Sequence, residues 1–208
     1  VGKQTRQITD EMKIEVTGRR KYVSRGGDKL EGVLNYLFGI DGAGRELTGK
    51  NAIDIGSSTG GFTDCLLTFG VKHLTAVDVG SAQLHQSLRV NPKVTLFENT
   101  DIRKYEDATR YDIIVADLSF IALEGILDKV LSFGSQGSRY FLLIKPQFEV
   151  GKGNTKKGIV KDESLVKEIL GKYITLTQEK GLQEVKVLPC VIQGGDGNQE
   201  YFLYGVRS

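Results

Sequence analysis

The sequence predicts an open, doubly wound α/β domain built on a mostly parallel sheet. Three observations carry this. Short apolar runs alternate with helical patterns, a glycine-rich turn joins the first run to the helix after it, and the last two runs have no helix between them. Continuous apolar strands are those buried on both faces, as in a parallel sheet covered by helices.

The elements follow in chain order. Leu30, Val33, Leu34 and Leu37 fall at i, i+3, i+4 and i+7 and mark one apolar face of a leading helix that docks on the sheet. Gly26 and Gly27 precede it, and Asp28 suits a cap or a first-turn acid. Strands are expected at Ala52–Asp54, Leu74–Asp78, Val94–Phe97, Ile113–Asp117 and Tyr140–Lys145. Helices are expected at Phe62–Phe69, Ala82–Leu88, Ala122–Leu131 and Glu163–Gln178. Glu184–Ile192 and Tyr201–Val206 then form a two-strand antiparallel finish at the sheet edge. Residues 1–20 differ in character: Lys, Arg, Thr and Gln dominate around a strand-like stretch at Met12–Val16, which reads as a tail or the remnant of another module.

The chain has 208 residues, 39% hydrophobic and 26% charged, which suits one globular domain. The net charge of +2 neither requires nor excludes a nucleic-acid partner. Cys65 and Cys190 are far apart and His73 and His85 are the two histidines, so no metal site is expected. Both cysteines read as small core side chains in a reducing compartment. The longest apolar runs are about a quarter of a membrane-spanning length, and no signal segment opens the chain, so a cytoplasmic protein without membrane contact is expected.

The strongest local signal is Ala52-Ile-Asp-Ile-Gly-Ser-Ser-Thr-Gly-Gly-Phe-Thr-Asp64. Gly56 suits a tight turn, while Gly60 and Gly61 would let a ligand approach the backbone beside Ser57 and Phe62. The loop lacks the Gly-x-Gly-x-x-Gly spacing of a dinucleotide site and the lysine of a phosphate-cradling loop. Asp54 beside the first glycine suits a smaller ligand carrying an amino acid and a nucleoside. Asp78 ends the second strand, where an acid meets ribose hydroxyls in such folds, and Asp101 could meet an adenine amino group. Each acid alone could equally be a helix cap or a loop residue; three at successive strand ends favour a cofactor site.

Tyr22-Val-Ser-Arg-Gly-Gly-Asp-Lys-Leu30, the glycine loop, Asp117-Leu-Ser-Phe120, Leu143-Ile-Lys-Pro-Gln-Phe-Glu149 and Gly197-Asn-Gln-Glu-Tyr-Phe202 appear in order. Over roughly residues 20–206 this set resembles the TlyA-type, or hemolysin A, family of FtsJ-like RNA 2′-O-ribose methyltransferases. Gln193-Gly194-Gly195-Asp196 departs from it, since the family more often has a Ser-Pro before the final Gly-Asn-x-Glu. The resemblance implies a seven-stranded Rossmann-like methyltransferase fold with an antiparallel final strand and S-adenosylmethionine as cofactor. It also implies a Lys–Asp–Lys–Glu tetrad at Lys29, Asp117, Lys145 and Glu200, with Asp117 also at the cofactor.

Those residue types suit the chemistry. A ribose hydroxyl attacking a sulfonium methyl group must lose its proton, and a lysine takes one only where burial or a neighbouring cation lowers its proton affinity. Lys29 and Lys145 in one pocket would act on each other in this way, with Asp117 and Glu200 orienting their amines. Blander roles stand beside these: a solvated lysine for Lys29, a helix cap for Asp117, a surface ion pair for Glu200. Lys145, ending an apolar run at the carboxyl edge of a central strand, is the hardest to read so.

Arg19, Arg20 and Arg25 before the first helix, and Lys152, Lys156 and Lys157 after the fifth strand, could form phosphate-contacting rims; solvated loop charges are the plain alternative. The resemblance implies ribosomal RNA or a ribosomal subunit as partner. It also implies that 1–20 is what remains of a small RNA-binding domain, ahead of a methyltransferase domain over 21–208. Asp117-Leu-Ser-Phe120 replaces the Asn/Asp-Pro-Pro-Tyr/Phe motif of amino-methylating relatives, which disfavours base methylation. A methyltransferase for another substrate and a membrane-active hemolysin are the alternatives.

Overall fold

The apolar runs form the sheet they imply, and of those ahead of the antiparallel finish all but Val94–Phe97 are buried on both faces. That run lies at the sheet edge and alternates half-buried with exposed. The structure is a computed structural model and describes residues 20–119, 121–151 and 153–208. The Met12–Val16 stretch, Arg19, Phe120 and Lys152 lie outside the described residues. The strands are β1 (Asn51–Ile55), β2 (His73–Val77), β3 (Val94–Phe97), β4 (Tyr111–Ala116), β5 (Gly134–Ile144), β6 (Leu182–Pro189) and β7 (Tyr201–Arg207). They form one sheet in the order β3-β2-β1-β4-β5-β7-β6, with β7 antiparallel to both of its neighbours. The helices are α1 (Arg25–Phe38), α2 (Gly42–Leu47), α3 (Gly61–Thr68), α4 (Gln86–Arg89), α5 (Leu127–Ser132), α6 (Pro146–Glu149) and α7 (Glu163–Glu179), with a 3-10 turn at Leu123–Ile126.

Alternation along β5 separates the two cores. Phe141 and Leu143 join the leading-helix residues Leu30 and Leu34 and the α3 residue Leu66 on one face. Tyr140, Leu142 and Ile144 join Leu127 of α5 and Tyr173 of α7 on the other. Parallel pairing of β1, β2, β4 and β5 sets their carboxyl ends along one edge, followed by Gly56, Asp78, Asp117 and Lys145. Because β7 runs the other way, with Tyr201 opposite Ile144, its first residue lies at that same edge and brings Glu200 there.

Several boundaries differ from the sequence pattern. The helix expected at Ala82–Leu88 is only α4, because Ala82 takes a left-handed φ of 53°. The helix expected at Ala122–Leu131 divides into the 3-10 turn and α5, and side chains of Glu149 and Tyr173 hold the Leu123 and Glu124 amides. β5 begins at Gly134, six positions before its apolar stretch, since the added residues are small and polar. β6 begins at Leu182 and ends at Pro189, with a register shift around Glu184, whose φ is 53°. The short helices α2 and α6 carry too few residues for a period to show.

Helices α1 and α3 meet where neither has a side chain. A Cβ on Gly61 would lie 2.2 Å from Ser24 Oγ and 2.8 Å from the Gly27 amide nitrogen. Gly171, inside α7, faces open space. Gly61→Ala should therefore destabilise the fold by about 1–3 kcal/mol, whereas Gly171→Ala should stabilise it by about 0.5–1 kcal/mol. Urea denaturation of the two variants checks both signs.

Candidate active site

The glycine loop leaves β1 with a buried carboxylate at its base. Asp54 Oδ2 accepts hydrogen bonds from the Thr63 amide (3.0 Å) and hydroxyl (2.7 Å), while Oδ1 is buried without a hydrogen-bond partner. Burial raises its pKa to about 7, Thr63 opposes the rise, and the charges of Asp117 and Asp78 add to it. Gly56 turns the chain at φ 79°, and a Cβ there would lie 2.4 Å from the Asp117 carbonyl oxygen. Ser57 Oγ is a second buried polar atom without a partner.

Gly60 and Gly61 also meet a packing demand. A Cβ on Gly60 would meet Leu88 at 2.4 Å, and one on Gly61 would meet α1, so both glycines relieve contacts between protein segments. Gly61 and Phe62 line a cavity of about 280 Å³ together with Ser24, Lys29, Asp54 and Ser57. Phe62 is held from behind by Phe202, with ring centroids 5.6 Å apart.

A second cavity of about 480 Å³ adjoins the first, sharing Gly56, Ser58 and Asp117. Asp78 and Asp101 line it, between walls that include Val77, Ile102 and Leu118. Asp78 accepts from the Ser58 and Gly80 amides at 2.7 and 2.6 Å. The Arg103 guanidinium and amide grip Asp101 and hold its carboxyl down at about 2. Asp101 thus meets the cavity as a carboxylate already engaged by Arg103.

The four proposed catalytic side chains divide into two ion pairs. Lys29 Nζ donates to Glu200 Oε2, a pair spanning 171 positions with both side chains buried. Lys145 Nζ lies 2.5 Å from Asp117 Oδ1 and donates to Ser119 Oγ at 2.9 Å. Each lysine therefore faces a carboxylate, Lys29 with Glu200 and Lys145 with Asp117, the two acids the sequence reading assigned to orienting these amines. Lys29 and Asp117 open into the same cavity. Cys190 donates its amide to the Glu200 carbonyl at 2.8 Å; burial foremost pushes its thiol up to about 12, and the charges of both pairs also act on it. Sequence spacing offered no sign that this cysteine sits among them.

The loop ahead of Glu200 is fastened from several sides. Gly194 donates its amide to the Asn198 carbonyl at 2.8 Å, and Gln147 Nε2 donates to Asp196 Oδ2 at 3.2 Å. A Cβ on Gly194 would lie 2.6 Å from Glu200 Oε1, so the glycine lets the backbone pass over that carboxylate. Ser119, Thr63, Gln147 and Asp196 are the site residues that motif spacing missed. Thr63 carried a local signal, a hydroxyl in the first turn of the helix after the glycines.

Of the basic residues, Arg20 and Arg25 are exposed and line the cavity that holds Lys29. Lys156 and Lys157 are exposed on a turn that Asn198 ties to the last loop, donating to the Gly158 carbonyl and accepting from the Val160 amide, each at 2.9 Å. Arg19 and Lys152 lie outside the described residues.

Comparison with known proteins gives concordant findings. The profile of a family described as FtsJ-like methyltransferase matches residues 22–207. A 23S rRNA (cytidine-2′-O)-methyltransferase TlyA from Campylobacter jejuni is 37% identical over 203 residues, covering 97% of this chain and 77% of that protein. A 16S/23S rRNA (cytidine-2′-O)-methyltransferase TlyA from Mycobacterium tuberculosis is 40% identical over 200 residues, covering 94% and 72%. A crystal structure from Lactococcus lactis, described as a hemolysin, superposes with a TM-score of 0.82 at 34% identity, covering 91% of this chain and 90% of that one.

The buried Asp54 gives the fold a pH signature. Its folded pKa, about 7, stands above the ordinary 3.8, so its contribution is fully present below pH 3.8 and is lost as pH rises toward 7. The loss should be on the order of 4 kcal/mol. Asp54→Asn should abolish that decline and be the more stable form at pH 8. Thermal melts of the two proteins from pH 4 to 8 measure the difference.

Proposed function

The chain belongs to the FtsJ-like methyltransferase family, and on that premise we propose that it transfers a methyl group from S-adenosylmethionine to a ribose 2′-hydroxyl of ribosomal RNA. The observation that carries this reading is the pairing of Lys145 with Asp117 and of Lys29 with Glu200 at one sheet edge, beside the two cavities.

The residues present fit the cofactor. Asp54 Oδ1 and Ser57 Oγ are buried polar atoms without partners, as a ligand with cationic and hydrogen-bonding groups requires. Asp54 and Ser57 would hold its amino-acid end and Asp78 its ribose, with Asp101 at the far end of the second cavity. Bound there, S-adenosylmethionine supplies a methyl group on a sulfonium, which is open to in-line attack.

The remaining chemistry belongs to the chain. Asp117 and Ser119 fix Lys145 Nζ. In this reading the ammonium first passes a proton to the Asp117 carboxylate beside it, and the free amine then takes the proton of the attacking hydroxyl. Lys29, anchored by Glu200 and lining the first cavity, contributes positive charge toward the developing alkoxide. Holding the hydroxyl in line supplies much of the remaining acceleration. Arg20 and Arg25 extend the cavity rim as phosphate contacts, and Lys156 and Lys157 lie on a turn tied to the same loop; the target ribose distinguishes RNA from DNA.

The methyltransferase domain is taken as 21–208, supported by the family match over 22–207; residues 1–20 are read as the edge of an RNA-binding module. Among the described residues no helix is long and apolar enough to cross a membrane. Release of dye from liposomes tests the lytic alternative directly.

With tritiated S-adenosylmethionine and unmodified ribosomal RNA, label should be recovered in a 2′-O-methylated nucleoside, with cytidine, the target of the two relatives, examined first. Lys145→Ala should lower kcat by about 10²- to 10⁴-fold and leave cofactor affinity unchanged in a calorimetric titration. Asp54→Asn should do the reverse, weakening cofactor binding first. Label recovered in a base, or unchanged turnover by Lys145→Ala, would overturn the assignment.

A further inference from the structure

Glu149 ends α6, the single helical turn that begins just after Lys145. Its carboxylate reaches away from the cavities: Oε1 accepts the Leu123 amide at 3.0 Å and Oε2 accepts the Tyr173 hydroxyl at 2.6 Å. Tyr173, fully buried on α7, accepts the Glu124 amide at 2.9 Å on the same oxygen. One carboxylate and one phenol thereby bind two successive amides of the segment that leaves Asp117 and Ser119, and join it to α6 and α7. At its other end that segment is joined to Lys145 by the Asp117 and Ser119 contacts.

We propose that Glu149 and Tyr173 are positioning residues for methyl transfer, forming a clamp that holds the Asp117-bearing loop and the Lys145-bearing turn in register. The proposal rests on the functional reading above. Two tethers, one at each end, fix the relative placement of the two segments. An apolar contact would fill the same space without direction, whereas a carboxylate and a phenol accept only amides presented at the correct angle. The Tyr173 proton stays in place at working pH, because burial, together with the Glu149 charge, pushes the phenol above its ordinary range. Misplacement of reacting groups by about 1 Å costs on the order of 10²-fold in rate, so a clamp remote from the substrate can govern turnover.

The test compares Glu149→Ala, Glu149→Gln, Tyr173→Phe and the Ala/Phe double variant, at a temperature where circular dichroism shows each folded. Glu149→Ala and Tyr173→Phe should each lower kcat roughly 10- to 100-fold, with cofactor affinity and the KM for RNA little changed. Glu149→Gln, which keeps an oxygen for the Leu123 amide, should recover part of the loss. The double variant should be little worse than either single one, since both remove one unit. Hydrogen exchange at Leu123 and Glu124 should quicken in every variant. A loss of thermal stability with kcat intact, or a parallel loss of cofactor affinity, would show a merely structural contact and overturn the proposal. A wild-type chain that binds cofactor but methylates no RNA would overturn the functional reading and the clamp's catalytic role with it.

Discussion

The buried Lys29–Glu200 pair at the sheet edge depends on the reversed direction of β7. Had the last strand run parallel to β5, Glu200 would stand at the opposite end of the sheet and Lys29 would be a buried ammonium without a counter-ion. Neither charge is tolerable alone, because breaking a buried pair by removing one member typically costs about 3–5 kcal/mol. The pair therefore ties the first helix to the last strand across 171 positions.

The glycine loop shows a different use of buried charge. Asp54 is almost wholly buried, yet only one of its oxygens is satisfied. Burial foremost, with the like charges of Asp117 and Asp78 added, favours its protonated form. In the function proposed above, the cationic end of the cofactor would supply the missing counter-charge, so that selectivity for cations at the base of the loop needs no preformed ion pair.

How far the sequence exposes this arrangement follows from the range of each interaction. Strands β1 to β4 were legible because continuous apolar runs need no partner information, and Lys145 stood out as a charge ending such a run. Residues from the ordered motifs, Lys29 and Glu200 among them, were legible only through resemblance. The Gly61 contact with α1 was not legible, because a Cβ clash involves a segment more than thirty positions away, and local composition cannot say what occupies that space. Cys190 was read rightly as buried, yet nothing in its neighbourhood revealed the four charges around it. Glu149 lay inside a recognised motif without an evident task, since its partners Leu123 and Tyr173 are 26 and 24 positions away.

Dividing the tetrad into two pairs also separates two demands that a single cluster would set against each other. Lys29 and Glu200 are both buried, and as a closed pair they leave little net charge to draw in water. Lys145 is flanked by Asp117, about a quarter exposed, and by a serine hydroxyl. In the role proposed above Lys145 must change its protonation, which partners able to shift their hydrogen bonds accommodate, whereas Lys29 must only hold charge and needs a fixed one. The position of each pair suits that division. Lys29 is seated on a fourteen-residue helix packed over the sheet, while Lys145 and Asp117 leave adjacent strand ends on short loops whose placement relies on side-chain tethers. Rigidity is thus inherited from the fold at Lys29 and supplied locally at Lys145.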